Sequence, residues 1–345
     1  MTTPRIHLLI IKHGALGDVV RTSYFAGALR QRFGAALRLS WITAPAALPL
    51  LRFNPHIDDL WTRFDEAGGL RFDRVYSLDD EQDVVEAVMR LDAAAITGAV
   101  LDADGRRGYT DDAAEWFDMG LLSRFGKQRA DAMKLTNTAS HGRIFSRLFD
   151  VPAPLPELFG PPRLQAEAAA LLGGGRNIGI NPCAGGRWPS KELLPDELHT
   201  LARALLGPAS PIGADGHLVL LGAAGDRLRN LALAERLADP RVLVPDTDDS
   251  VLRLAALIGR LDYLVSSDSL ALHLGIAQRV PFLAFFAPTS AVEIDDFAVG
   301  VKVVSTAADY CSYRKDADNR SITAARILAT MAGHRPDLFA PLHTA

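Results

Sequence analysis

The chain has 345 residues, 48% hydrophobic and 23% charged, with a net charge of −4. This is the balance of a soluble globular protein long enough for two domains, and it argues against nucleic acid as the main partner. Two cysteines, Cys183 and Cys311, cannot build a disulfide framework or a zinc site, and neither a leader-like N-terminus nor an apolar run of about 20 residues stands out. A cytoplasmic protein is expected, with contact at the inner face of the membrane no more than peripheral.

Ile6–Ile11 is an almost wholly apolar run of strand length, and residues 19–33 carry Val20, Phe25, Ala28 and Leu29 at helical spacing. Between them Gly14-Ala15-Leu16-Gly17-Asp18 forms a strand–turn–helix junction, with Asp18 at the helix start, the end where α/β folds bind ligands. Alone, Asp18 reads equally as a first-turn acid favoured by the helix dipole or as a catalytic base. Residues 37–43, 58–61, 74–78 and 95–101 read as further strands, with helices over 44–51 and 81–91. Alternating strands and helices predict a mostly parallel sheet covered on both faces.

Residues 102–134 break this pattern, with basic residues including Arg107, Arg124, Lys127 and Lys134 set among acids and around Trp116 and Phe117. That composition fits a solvated face with a few core anchors, or an irregular insertion whose cations grip an anionic substrate. Residues 140–149 return to helix. Five prolines within residues 151–162 can continue neither a helix nor a central strand. The expected division is a first domain over 1–150, a linker over 151–163 and a second domain over 164–345.

The second half repeats the α/β pattern. Strands are expected at 177–181, 217–221, 241–244, 263–265 and 281–286. Helices are expected at 164–172, from Pro195, and at 226–237, 250–258, 269–277 and 323–331, with 336–345 a loosely held tail. Two successive α/β domains imply a cleft where a ligand binds.

Three junctions carry chemistry. Gly185-Gly186-Arg187-Trp188-Pro189-Ser190-Lys191 follows a strand and precedes a helix. It reads as a phosphate-binding turn with Lys191 as the cation, or as a glycine-rich surface turn. Leu221-Gly222-Ala223-Ala224-Gly225-Asp226 reads first as a tight turn capped by Asp226, and second as an approach to a nucleotide. In Ser266-Ser267-Asp268-Ser269-Leu270-Ala271-Leu272-His273, hydroxyls and an acid end a strand where a helix begins. Ser269 offers donors there, and His273 lies one turn deeper as a core histidine or a ligand contact. Asp246-Thr247-Asp248-Asp249 reads as a loop capping the next helix, so no Asp-x-Asp suggests a metal on a diphosphate.

Taken in order, Gly-Ala-Leu-Gly-Asp-Val, Asn-Pro-Cys-Ala-Gly-Gly-Arg-Trp-Pro-Ser-Lys, Leu-Gly-Ala-Ala-Gly-Asp and Ser-Asp-Ser-Leu-Ala-Leu-His-Leu with Ala-Pro-Thr-Ser resemble glycosyltransferase family 9, the ADP-heptose:lipopolysaccharide heptosyltransferases and their relatives. The resemblance covers roughly residues 5–290. It implies a GT-B fold, two Rossmann-like domains facing across a cleft, with acceptor on the first and nucleotide-sugar on the second. It implies inversion at the anomeric carbon and no required metal or other cofactor. Asp18 then matches the general base, and Lys191 matches the lysine on the donor diphosphate. Gly185, Gly186, Ser190, Gly222, Asp268, Ser269 and His273 fall on the donor side, with Leu270 where the family usually has glycine. Lys12, Gly14, Gly17, Arg107 and Lys127 fall on the acceptor side. The implied partners are an ADP-sugar and a glycan, glycolipid or other hydroxyl acceptor. A protein or small-metabolite acceptor is the alternative, and a binding protein without turnover the third reading. The segment 309–320 matches no signature of the family.

Overall fold

In the computed structural model of the chain, which describes residues 6–186, 188–207, 211–247 and 250–339, β1 (Ile6–Ile11) sends Leu8 and Ile10 into one apolar cluster and Leu9 and Ile11 into another. Successive side chains of a strand point to opposite faces, so β1 lies at the centre of a sheet buried on both sides. Contacts divide the chain into two units. The first runs through Phe159 and includes Val292–Asp295; the second takes Gly160–Ala291 and resumes at Asp296.

After β1 the first unit continues with α1 (Leu16–Phe33), β2 (Leu37–Ile42), α2 (Leu48–Leu51), β3 (Asp59–Trp61), β4 (Arg71–Phe72), β5 (Arg74–Ser77) and α3 (Gln82–Val88). It closes with β6 (Asp92–Ala93), β7 (Ile96–Leu101), β8 (Arg107–Tyr109), α4 (Ala114–Phe117), α5 (Lys127–Thr136) and α6 (His141–Phe149). The main sheet has the order β3-β2-β1-β5-β7-β8. Its pairings are parallel except the last, β7 with β8. The order reverses between β1 and β5, where Ile11 pairs with Ser77 at the strands' carboxyl ends. Such a reversal opens the crevice in which doubly wound sheets bind ligands. α1 covers one face with Val19, Phe25 and Leu29 fully buried, and Phe25 stacks on Phe149 of α6 at 5.0 Å. Ser140 caps α6 by accepting from Arg143 N, while His141 N donates to Glu293 O at 2.9 Å and Gly142 N to Asp295 Oδ2 at 3.0 Å.

Residues 102–134 are more regular than their composition suggests. They form β8 and two helices, and Phe117 and Met119 are buried in the same cluster as α1. Their charges are largely paired: Arg124 holds Asp111 and Asp118 at 3.1 and 3.0 Å. A three-residue strand and a four-residue helix are too short to show a period.

The second unit consists of α7 (Pro162–Leu172), β9 (Asn177–Asn181), α8 (Pro195–Leu206), β10 (His217–Leu220), α9 (Arg227–Leu237), β11 (Val242–Leu243) and α10 (Val251–Ile258). Then come β12 (Tyr263–Ser267), α11 (Leu270–Ala277), β13 (Phe282–Phe286), β14 (Gly300–Val304), α12 (Ala324–His334) and α13 (Pro336–Phe339). The sheet is parallel throughout, with the order β11-β10-β9-β12-β13-β14 and the reversal between β9 and β12. Both sheets thus have the Rossmann order of strands.

Element boundaries differ from the expected ones at four places. β12 runs on through Ser266 and Ser267, both fully buried, because Ser267 Oγ donates to Cys183 O at 2.7 Å and Ser266 Oγ to Ser267 O at 2.8 Å. β14 was not foreseen; it starts at Gly300, where an added Cβ would lie 2.1 Å from the Phe282 ring. The cap of α10 is Ser250, which accepts from Arg253 N; of the acids before it, Asp248 and Asp249 lie outside the described residues. The tail begins as α13, with Leu338 only 2% exposed and its carbonyl accepting from Arg176 Nη1 at 2.9 Å; residues 340–345 lie outside the description, as does Arg187.

Candidate active site

The reversal in the first unit gathers charged groups at the ends of β1 and β5. Lys12 is buried, and its Nζ lies 2.5 Å from Asp79 Oδ1. His13 N donates to the other Asp79 oxygen, and Thr43 Oγ1 donates to Lys12 O at 2.7 Å. Burial pushes the Asp79 carboxyl above the usual carboxylate range, against the opposing pull of Lys12 and the His13 amide. Lys12 is therefore an anchor for the loop after β1, and Asp79 is the partner that sequence reasoning missed. Arg107 is exposed on β8 and donates to the Asp80 carbonyl, beside this pair. Lys127, also exposed, pairs along its own helix with Asp131.

Asp18 is the third residue of α1, in its first turn. Its side chain is 33% exposed, and Arg21 Nη2 lies 2.8 Å from one carboxylate oxygen. The Arg21 guanidinium in turn sits over the Trp116 ring, 5.5 Å from its centroid. Gly17 is buried within α1, and an added Cβ at Gly14 would meet nothing within 4 Å. Gly14 thus leaves open space in the turn before α1.

The second unit brings the donor-side residues together more closely. Lys191 ends a single 3-10 turn, Pro189–Lys191. Its Nζ lies 2.7 Å from Asp268 Oδ2 and 3.1 Å from the Asp268 carbonyl. Thr289 Oγ1 donates to the same Oδ2 at 2.7 Å. Burial alone would raise the Asp268 carboxyl, but Lys191, His273 and Thr289 outweigh it and bring it down to about 2. Three loops, following β9, β12 and β13, therefore meet on one carboxylate at the strand-order reversal.

Ser269 occupies the N-cap position of α11. Asn181 Nδ2, at the end of β9, donates to Ser269 Oγ at 2.9 Å. Asn181 is a second residue the sequence reading passed over. Its only local signal was a polar side chain ending an apolar strand. His273 is buried one turn into α11, and its main-chain N bonds to Ser269 O at 3.4 Å. Leu270 is half-buried as the first residue of this helix. Ser190, buried beside Lys191 on this side, donates its hydroxyl to the Arg314 carbonyl at 2.9 Å.

The Gly222 turn belongs to the same neighbourhood. Asp226 Oδ2 accepts from Ala223 N at 3.0 Å, and a Cβ on Gly222 would lie 2.7 Å from the Asp226 Cβ. Arg229 of α9 contacts Cys183 Sγ after β9 and pairs with Glu192 at 2.6 Å. Burial and the Asp226 carboxylate push the Cys183 thiol up to about 12, so it meets Arg229 uncharged.

Gly185 and Gly186 both adopt φ of 70°, and an added Cβ would meet nothing within 4 Å at either. The left-handed backbone alone requires glycine there. Gly186→Ala is expected to lower stability by about 1 kcal/mol, read as a drop in the thermal midpoint.

The sequence model of glycosyltransferase family 9 (heptosyltransferase) matches residues 82–322, more than half of the chain. No curated protein sequence is matched. Among solved structures, the glycosyl transferase family 9 protein of Veillonella parvula DSM 2008 aligns over 98% of this chain and 99% of its own, at 15% identity and a TM-score of 0.73. ADP-heptose lps heptosyltransferase II of E. coli aligns over 97% and 98%, at 17% identity and a TM-score of 0.65. The E. coli heptosyltransferase WaaC with ADP aligns over 97% and 99%, at 14% identity and a TM-score of 0.61. At such identities the likeness is one of fold, the GT-B pairing of two Rossmann-like units. The family model itself spans the loops that meet at Asp268, and with it the motifs of the second unit acquire a common origin: the chain belongs to glycosyltransferase family 9, the heptosyltransferases, and is a glycosyltransferase.

Proposed function

We propose that the enzyme moves a heptose or related sugar, with inversion, from an ADP-sugar to a hydroxyl of a lipopolysaccharide core or other glycan acceptor. The observation that carries this reading is the meeting of Lys191 and Thr289 on Asp268 Oδ2, next to the N-cap Ser269 of α11, at the strand-order reversal of the second unit. Nucleotides bind at such reversals, and a lysine beside a helix N-terminus provides the positive charge that a leaving diphosphate requires. The ADP that accompanies WaaC, and the donor in the name of heptosyltransferase II, support an ADP-sugar here.

In this reading the acceptor oxygen bonds to C1 while the bond from C1 to the diphosphate oxygen breaks. The electron pair of that bond leaves with ADP. The hydroxyl proton passes to Asp18, whose carboxylate Arg21 holds in place. Lys191 and backbone N–H groups, without a metal, carry the leaving-group charge. Among the described residues no helix is long and apolar enough to cross a membrane; we place the enzyme in the cytoplasm, meeting a lipid-linked acceptor at the membrane surface.

The test is a thermal-shift titration with ADP and with nucleotide-sugars. At 100 times its dissociation constant a bound ligand stabilises by about 2.7 kcal/mol. ADP and an ADP-sugar are expected to raise the midpoint. A midpoint unmoved by any adenine nucleotide would overturn the reading.

A further inference from the structure

The segment 309–320, which matched no signature, spans the donor-side loops of the second unit. Cys311 and Ala317 anchor it, at 1% and 6% exposure. On one side, Cys311 N donates to Ala287 O at 2.9 Å and Tyr313 N to Pro288 O at 2.8 Å. Tyr310 Oη accepts from Ala291 N at 2.9 Å. These bonds bracket Thr289. On the other side, Ser190 Oγ donates to Arg314 O at 2.9 Å and Ser190 N to Lys315 O at 3.3 Å. Asn319 Nδ2 donates to Glu192 O at 2.8 Å. These bonds bracket Lys191.

Lys191 and Thr289 are the two side chains that converge on Asp268 Oδ2. They come from loops about a hundred residues apart in sequence, and one segment holds both. Its own backbone is strained for the purpose: Cys311 and Tyr313 have φ of 60° and 52°, a region non-glycine residues occupy only when their surroundings impose it.

We infer that 309–320 is a strap that sets where Lys191 and Thr289 stand around Asp268, with Ser190 and Tyr310 as positioning residues for the donor diphosphate. The inference rests on the proposed role of Lys191. Ser190 acts through the Arg314 carbonyl, and Tyr310 through the main chain of Ala291. The strap sets diphosphate affinity by keeping the lysine and the threonine hydroxyl at their present spacing.

The test is calorimetric titration of the full chain with ADP. Ser190→Ala and Tyr310→Phe each remove one hydrogen-bonding hydroxyl and are expected to raise the dissociation constant about fivefold. Ser190→Thr, which keeps the hydroxyl, is expected to restore it to within about twofold of the parent. A purely structural role for the hydroxyls would lower the thermal midpoint and leave ADP affinity at 25 °C as in the parent; that result overturns the inference, provided Lys191→Met weakens ADP binding in the same assay. Parental affinity in Lys191→Met overturns instead the reading of Lys191 on which the strap depends. Should Ser190→Ala fail to fold, Tyr310→Phe, which removes a single oxygen, decides by the same criterion.

Discussion

Asp18→Asn is expected to lower kcat by about 10²- to 10⁴-fold, the usual contribution of a positioned general base, with the dissociation constant for ADP unchanged. The substitution preserves the shape of the side chain that Arg21 contacts at 2.8 Å but removes its capacity to take a proton. A first-turn acid contributes roughly 0.3–1 kcal/mol through the helix dipole, and the ion pair with Arg21, whose side chain is 12% exposed, adds to the cost to folding. Steady-state release of ADP, read beside a calorimetric titration with ADP, separates the two roles that Asp18 shows in sequence. Full turnover in this variant would leave Asp18 as a dipole partner only.

Lys191→Met carries the second large effect, on binding and stability together. Loss of a charge donor to the leaving group costs on the order of 3 kcal/mol in the transition state, more than a hundredfold in kcat, with affinity for ADP lowered as well. The substitution also strands Asp268, whose side chain is 12% exposed. Breaking a buried pair from one side costs about 3–5 kcal/mol, measurable by urea unfolding. The pH dependence gives an independent check. In the parent, the Asp268 carboxyl is held down to about 2 by Lys191, His273 and Thr289 in spite of burial. A depressed carboxylate stabilises the fold fully above its unfolded value of about 4, and that stability is lost as pH falls towards 2. The gap in stability between parent and variant is therefore expected to be widest above pH 5 and to narrow by about 2 kcal/mol through pH 4 to 2. A gap that stays constant with pH would mean that Lys191 does not act through Asp268.

The parts of the site legible in sequence are those in which chemistry sits on a local junction. Gly14–Asp18, Gly185–Lys191 and Asp268–His273 each join a strand to a helix, and apolar periodicity on both sides places them at the carboxyl end of a strand. What sequence could not show is which partner each charge takes. Lys12 falls on the acceptor side by its position, and the partner its ammonium takes, Asp79, lies 67 positions away. Ser190 falls on the donor side by its motif, and the carbonyl its hydroxyl bonds lies 124 positions away. The short edge elements were lost for another reason. β14 has only one fully buried residue, Val303, so it carries neither the continuous apolar run of a central strand nor a clean alternation.

The sequence by itself determined that this chain is two α/β halves in tandem, with a carboxylate at the first junction and glycines, a lysine and hydroxyls at those of the second. Local backbone preference and side-chain period are enough for that. Tertiary structure alone decided that Lys191, Thr289 and Asp268 share one oxygen, and that an unplaced segment straps the loops carrying the first two. The strand order sets those meetings: β9 lies beside β12, and β12 beside β13, through ladder hydrogen bonds between residues far apart in the chain. Ladder bonds are made between backbones and are indifferent to side-chain identity, so the pattern along any one stretch does not record which strand becomes its neighbour.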